Sequence, residues 1–113
     1  MSAARTQAIL WLVQRATAAL LAVFVVIHIA TMIHAVRTGL DAASLLARVH
    51  ASIAWPAFYG AFVIVAALHA AIGLRTVAAE WLSWRGTGAD ATIALVGLAL
   101  AAAGLRAVVA VSA

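Results

Sequence analysis

The chain has 113 residues, 68% of them apolar and 9% charged, with a formal net charge of +4 and a mean hydropathy of +1.18. An average soluble domain is roughly 25% charged, so this composition excludes a soluble enzyme and makes a lipid bilayer the solvent. The absence of cysteine excludes disulfides, thiolate metal sites and Cys nucleophiles, and the basic residues Arg5, Arg15, Arg37, Arg48, Arg75, Arg85 and Arg106 are too dispersed for a nucleic-acid surface.

Three apolar segments, residues 9–36, 53–79 and 91–111, each meet the roughly 20 residues that a ~30 Å hydrocarbon core demands of a helix. They predict an all-α fold, a three-transmembrane-helix bundle forming one membrane domain over residues 1–113. A chain of this length has no room for a soluble catalytic domain beside the bundle. The first segment is longer than the ~7–15-residue apolar run of a cleaved signal peptide and carries His28 and His34, so it reads as a retained span. Thr38-Gly39-Leu40-Asp41 opens a loop, and Pro56 falls in the first turn of the second helix, where its missing N–H costs little. Arg85-Gly86-Thr87-Gly88 forms the next loop, with Asp90 suited to cap the third helix. Residues 99–103, all Ala apart from Leu100, lie between Gly97 and Gly104, which are seven apart and share a smooth face for close packing in lipid. Arg106 is near enough to the helix end to snorkel. Trp11, Trp55, Tyr59, Trp81 and Trp84 fall near span ends, as interfacial anchors do.

His69 stands inside the second segment, in the stretch His69-Ala-Ala-Ile-Gly73-Leu-Arg75. An unpaired polar group in hydrocarbon costs several kcal/mol, so an intramembrane His is a candidate functional residue whose partner has to be found. Gly73 lies one turn on, on the same face, and with Ala66 and Ala70 it leaves room for a flat macrocycle beside the imidazole. Arg75, near the helix end, suits a propionate or a quinone carbonyl oxygen. On the residues alone, a His that merely hydrogen-bonds a neighbouring helix stands beside this reading.

The spacing His69-x3-Gly73-x-Arg75-x4-Glu80 resembles the haem-bearing helix of the cytochrome b membrane-anchor subunit of the succinate dehydrogenase/fumarate reductase family, with Glu80 where Asp is commoner. Gln14-Arg15-Ala16-Thr17 is similar to the His/Gln-Arg-x-Ser/Thr stretch that opens the first helix of that family. There the Arg lies close to the ubiquinone pocket and the haem propionates, a role the resemblance extends to Arg15. The position four residues before it, a quinone-contacting Ser in many members, is Trp11 here. The resemblance implies haem b as cofactor, His69 as an axial ligand of the haem iron, Arg75 at a propionate or the quinone, and ubiquinone or menaquinone as substrate. It also implies an iron–sulfur subunit and a flavoprotein subunit as partners, the anchor itself breaking no succinate bonds. Without a Cys-x-x-Cys-His motif, covalent c-type attachment is excluded. An Arg-only, Ala-rich composition points to a bacterial inner membrane. With the amino terminus cytoplasmic, Arg5, Arg15, Arg75 and Arg85 face inward against Arg37, Arg48 and Arg106 outward.

His28 lies thirteen residues after Arg15, about 20 Å along a helix, whereas His69 is six residues from Arg75, about 9 Å. If both arginines mark one interface, the two histidines differ in depth by about 10 Å and do not share one haem. His28 is therefore either a possible ligand of a second haem or a partner of hydroxyls across helices, with Thr31 and Thr92 as candidate neighbours. His34 and His50, at the end of the first helix and in the following loop, read as solvated or interfacial. A second axial ligand for a haem at His69 has to come from a second membrane subunit or a second copy of this chain. Two further function classes stay open: a haem-free respiratory-complex anchor, and a small oligomeric proton-coupled transporter using His28 and His69.

Overall fold

The computed structural model describes residues 2–39 and 41–113. They form four helices, α1 (Ala3–Thr38), α2 (Ala42–Ala51), α3 (Ala54–Trp81) and α4 (Thr87–Ser112), with no strand among the described residues. Leu40, expected in the first loop, lies outside them. Three of the helices, α1, α3 and α4, are long and apolar enough to cross a membrane, so the chain is a multi-pass membrane protein.

The helices run past most of the expected span ends, and at the start of α1 a capping group rather than hydropathy sets the boundary. Ser2 accepts a hydrogen bond from the Arg5 N–H at 3.2 Å and starts α1 ahead of the apolar run. The helix then runs 36 residues, about 54 Å, so it tilts or projects beyond a ~30 Å hydrocarbon core. It ends at Gly39, whose φ of +99° suits glycine. At the far side of the bundle, Ser83 turns the chain out of α3 with φ +51°, and Gly86 enters α4 at φ +102° and ψ −172°, a region essentially reserved for glycine.

The first connection differs from expectation: residues read as a loop form α2. Asp41 caps it, its carboxylate accepting from the Ser44 N–H at 2.8 Å and the Ser44 hydroxyl at 2.7 Å. Those two bonds hold its carboxyl below the ordinary value of 3.8. Ten residues span only about 15 Å, so α2 does not cross the bilayer. It lies across the bundle end, with Arg48 Nη1 donating to the Thr31 carbonyl at 3.4 Å. His50 is not a free interfacial residue: its Nε2 donates to the Val111 carbonyl at 3.0 Å, satisfying one of the carbonyls that the last turn of α4 leaves unpaired.

α3 is central, packing against both α1 and α4. Its contact with α4 is close because glycine stands where a side chain would collide. A Cβ on Gly97 would come within 3.0 Å of the Ala71 Cβ, and one on Gly104 would overlap the methyls of Val63. This is the smooth helix face expected from the sequence, and in lipid such van der Waals contact is a main source of helix association. The α1–α3 contact is aromatic in its middle, with Phe24 at 5.3 Å from Phe58 and 5.6 Å from Phe62 between ring centroids. Large apolar side chains face outward instead, Val26 and Leu98 each being 67% exposed, as a lipid-facing surface requires.

Candidate functional site

α1 and α3 run antiparallel, and their contacts fall in register: Gln14 against Gly73, Thr17 against His69, Phe24 against Phe62, His28 against Tyr59 and Phe62. Thr17 and His69, 52 positions apart in sequence, meet with Oγ1 and Nδ1 at 3.1 Å. Thr17, 5% exposed, is the buried polar residue among those described, while the His69 ring is half-buried. Among the described residues, His69 Nε2 makes no hydrogen bond. One turn along, a Cβ on Gly73 would stand 3.3 Å from Gln14 Nε2, so the missing side chain makes room for the Gln14 amide. The Gln14 Oε1 is buried without a hydrogen-bond partner. Leaving such a group unpaired costs about 1–3 kcal/mol, and a polar ligand group reaching it would remove that cost.

The two arginines singled out from the sequence point elsewhere. Arg15 is exposed, its guanidinium 5.1 Å from the Trp11 ring centroid in a cation–π contact. It lies two positions before Thr17, about 3 Å along the axis, and so near the depth of His69, on the outer side of α1. Arg75 turns toward α4, where its Nε is 3.1 Å from Asp90 Oδ1. Asp90 is thus not the cap expected for α4; it sits inside the first turn, where the helix dipole favours an acid, and holds Arg75. Gln7, Arg75, Trp84, Arg85 and Asp90 line a polar recess of about 190 Å³.

His28 is separate from this group. Its ring packs edge-on to Tyr59 and Phe62, each at 5.9 Å, and its Nδ1 is buried without a partner. Neither expected neighbour reaches it: the Thr31 hydroxyl donates to the Ile27 carbonyl and that of Thr92 to the Gly88 carbonyl. Back-bonding to the preceding turn is the local alternative open to any helical Thr. His28 instead faces an apolar recess of about 490 Å³ whose floor includes Ala66, Gly104 and Ala107. Between Thr17 and His28 lie ten apolar residues of α1, and between Tyr59 and His69 nine of α3. The two imidazoles are therefore at different depths, with no polar side chain of α1 or α3 between them.

Gln14 and Thr17 belong to the α1 motif around Arg15, but neither had been assigned a role of its own from the motif. Their signal was their spacing, three apart and so on one face of α1, opposite the similarly spaced pair His69 and Gly73. No group of three His, Cys, Asp or Glu able to hold a bare metal ion occurs among the described residues. A single imidazole with an unengaged Nε2 suits a metal whose other ligands come from a macrocycle, as a haem iron's do. The His69 imidazole thus fits a haem, whereas the unpaired Gln14 Oε1 calls for a hydrogen-bond donor.

Residues 1–107 match the family described as succinate dehydrogenase/fumarate reductase transmembrane subunit. No curated protein and no solved structure matches the chain significantly.

Proposed function

The chain belongs to the succinate dehydrogenase/fumarate reductase transmembrane subunit family, and on that premise we propose that it is the haem b-carrying anchor of a succinate:quinone or quinol:fumarate oxidoreductase. It is a membrane subunit of such a complex, which implies soluble partner subunits. In this proposal they are the iron–sulfur and flavoprotein subunits, docked at the cytoplasmic face of a bacterial inner membrane where the amino terminus lies.

The observation that carries the haem reading is His69: an imidazole between two apolar helices, anchored through Nδ1 and unengaged at Nε2. When bound, the haem supplies a one-electron centre within reach of the quinone. His69 would hold the iron through Nε2. The Arg75 guanidinium, kept in place by Asp90, offers donors to propionate oxygens or to a carbonyl of the quinone, ubiquinone or menaquinone, while the Gln14 Oε1 offers an acceptor to a donor such as a quinol hydroxyl. Arg15, on the outer side of α1, offers its charge to a ligand shared with a neighbouring subunit. A further ligand for the iron would come from another membrane subunit or from a second copy of this chain.

A dithionite-reduced minus oxidised spectrum of the purified complex, run for wild type and His69→Ala together, tests this. The α-band of a b-type haem should be present in wild type and lost in the variant, with insertion intact because the change only raises hydropathy. Unchanged haem content in His69→Ala, or no band in wild type, refutes it. In the same series Arg15→Leu should lower quinone reduction more than haem content, and equal turnover with short-chain quinones refutes that role.

A second haem at His28 has one observation in its favour, the buried unpartnered Nδ1 of a ring that lines an apolar recess. His28→Ala should then lower the haem-to-chain ratio without abolishing the band that depends on His69. An unchanged ratio makes His28 a packing residue among Tyr59 and Phe62.

A further inference from the structure

We propose that Thr17 is a positioning residue for His69: its hydroxyl oxygen accepts the Nδ1–H of the imidazole and so fixes the tautomer and ring plane that present the Nε2 lone pair to a metal. The proposal deepens the haem reading above and rests on it.

A proton count decides which group donates. Thr17 Oγ1 lies 2.8 Å from the Val13 carbonyl, 3.0 Å from that of Gln14 and 3.1 Å from His69 Nδ1, and a hydroxyl has one proton to give. Given to Val13, the nearest acceptor, it leaves the oxygen lone pairs to accept from Nδ1–H, and two hydrogen bonds form. Given to Nδ1, it forfeits the bond to Val13 and only one forms. The additional hydrogen bond favours the Nδ1–H tautomer by up to roughly tenfold. In that tautomer Nε2 carries the lone pair, the form a metal ligand needs.

Helix geometry makes the acceptor rigid. Thr is β-branched, and its back-bond into the preceding turn holds χ1 whatever His69 does. The hydroxyl is therefore placed by α1 before any ligand arrives. The height of α1 against α3 is set beside it by Gln14 seated on Gly73. Gln14 and Thr17 on α1 thus meet Gly73 and His69 on α3 as two adjacent rungs. At metal sites such a partner on the far nitrogen orients the ring and raises ligand basicity. A more basic imidazole favours the oxidised metal, so loss of the hydroxyl should raise the midpoint potential.

The test uses the purified complex with Thr17→Val, which keeps the shape and removes the hydroxyl, Thr17→Ala, which removes it with no clash, and Thr17→Ser, which keeps it. Haem per chain and the redox midpoint are read, with chain abundance in membranes as the control for folding. Val and Ala should weaken haem retention by about 10–100-fold, or, where haem stays, lower the oxidised-to-reduced ratio at fixed potential about tenfold, an upward shift of about 59 mV for one electron. Ser should behave as wild type. Val and Ala with wild-type haem content and midpoint overturn the proposal, as does Ser damaged as much as both, since packing would then explain the loss. A wild-type complex without haem overturns the haem reading and this proposal together, whereas haem present in wild type and unmoved in Val overturns this proposal alone.

Discussion

Replacing Gly104 by Ala tests whether close approach, rather than general hydrophobicity, holds α3 to α4. A Cβ built there would overlap Val63 Cγ1, with Cγ2 at 3.0 Å and Cβ at 3.3 Å. The collision is with a β-branched side chain on a helix, which has essentially one rotamer and cannot swing aside, so the helices must part. Overpacking of this kind costs about 1–3 kcal/mol. Gly→Ala also gains about 0.5–1 kcal/mol of helix preference, which would blur the result. Gly60, inside α3 with nothing within 4 Å of an added Cβ, removes that ambiguity, because Gly60→Ala has the gain without the collision. The difference in unfolding free energy between the two variants, measured in detergent micelles with increasing denaturant, should therefore be about 1–3 kcal/mol. Val63→Ala combined with Gly104→Ala deletes both colliding methyls and should recover most of it, giving a coupling energy within the roughly 0.5–3 kcal/mol range of residues in contact. Gly104→Ala as stable as Gly60→Ala would refute the reasoning.

Three further outcomes are expected. The Asp41 carboxyl is held below 3.8 by the Ser44 N–H and hydroxyl, so its contribution to α2 is fully present above that value and is lost as pH falls through the lowered one; amide exchange at Ser44 and Leu45 should quicken there, and Asp41→Asn should remove the pH dependence. The Arg75–Asp90 pair has side chains 34% and 52% exposed, so a double-mutant cycle should give no more than about 1 kcal/mol; a larger value would mean that Arg75 has a structural rather than a ligand-binding role. His50→Ala should cost about 1 kcal/mol and quicken amide exchange in the last turn of α4, where exchange rates equal to wild type would show that the Val111 carbonyl has no need of the imidazole.

The order of spans, the solvent and the family were legible in the sequence because each depends on quantities that a chain carries locally. Hydropathy over about 20 residues decides whether a helix crosses lipid, and the motifs around Arg15 and His69 are each contained in one helix. The packing role of Gly97 and Gly104 was legible too, since residues seven apart share a face wherever the helix is placed. α2 was missed because ten residues holding Arg48 and His50 fall below any spanning window, and its existence rests on a cap at Asp41 and on ties to Thr31 and Val111.

What the tertiary structure alone decided is which side chains meet. The sequence assigned Asp90 to capping and Arg75 to a ligand, but the crossing of α3 over α4 joined them to each other. It placed Thr31 and Thr92 beside His28, yet both hydroxyls turned back into their own helices. It held Thr17 only as part of a motif, and the register of α1 on α3 brought it to His69. Register and rotation between helices come from the fit of small residues against large ones, Gly73 under Gln14 and Gly104 under Val63. That fit is a property of two surfaces in contact, so no single stretch of the chain contains it.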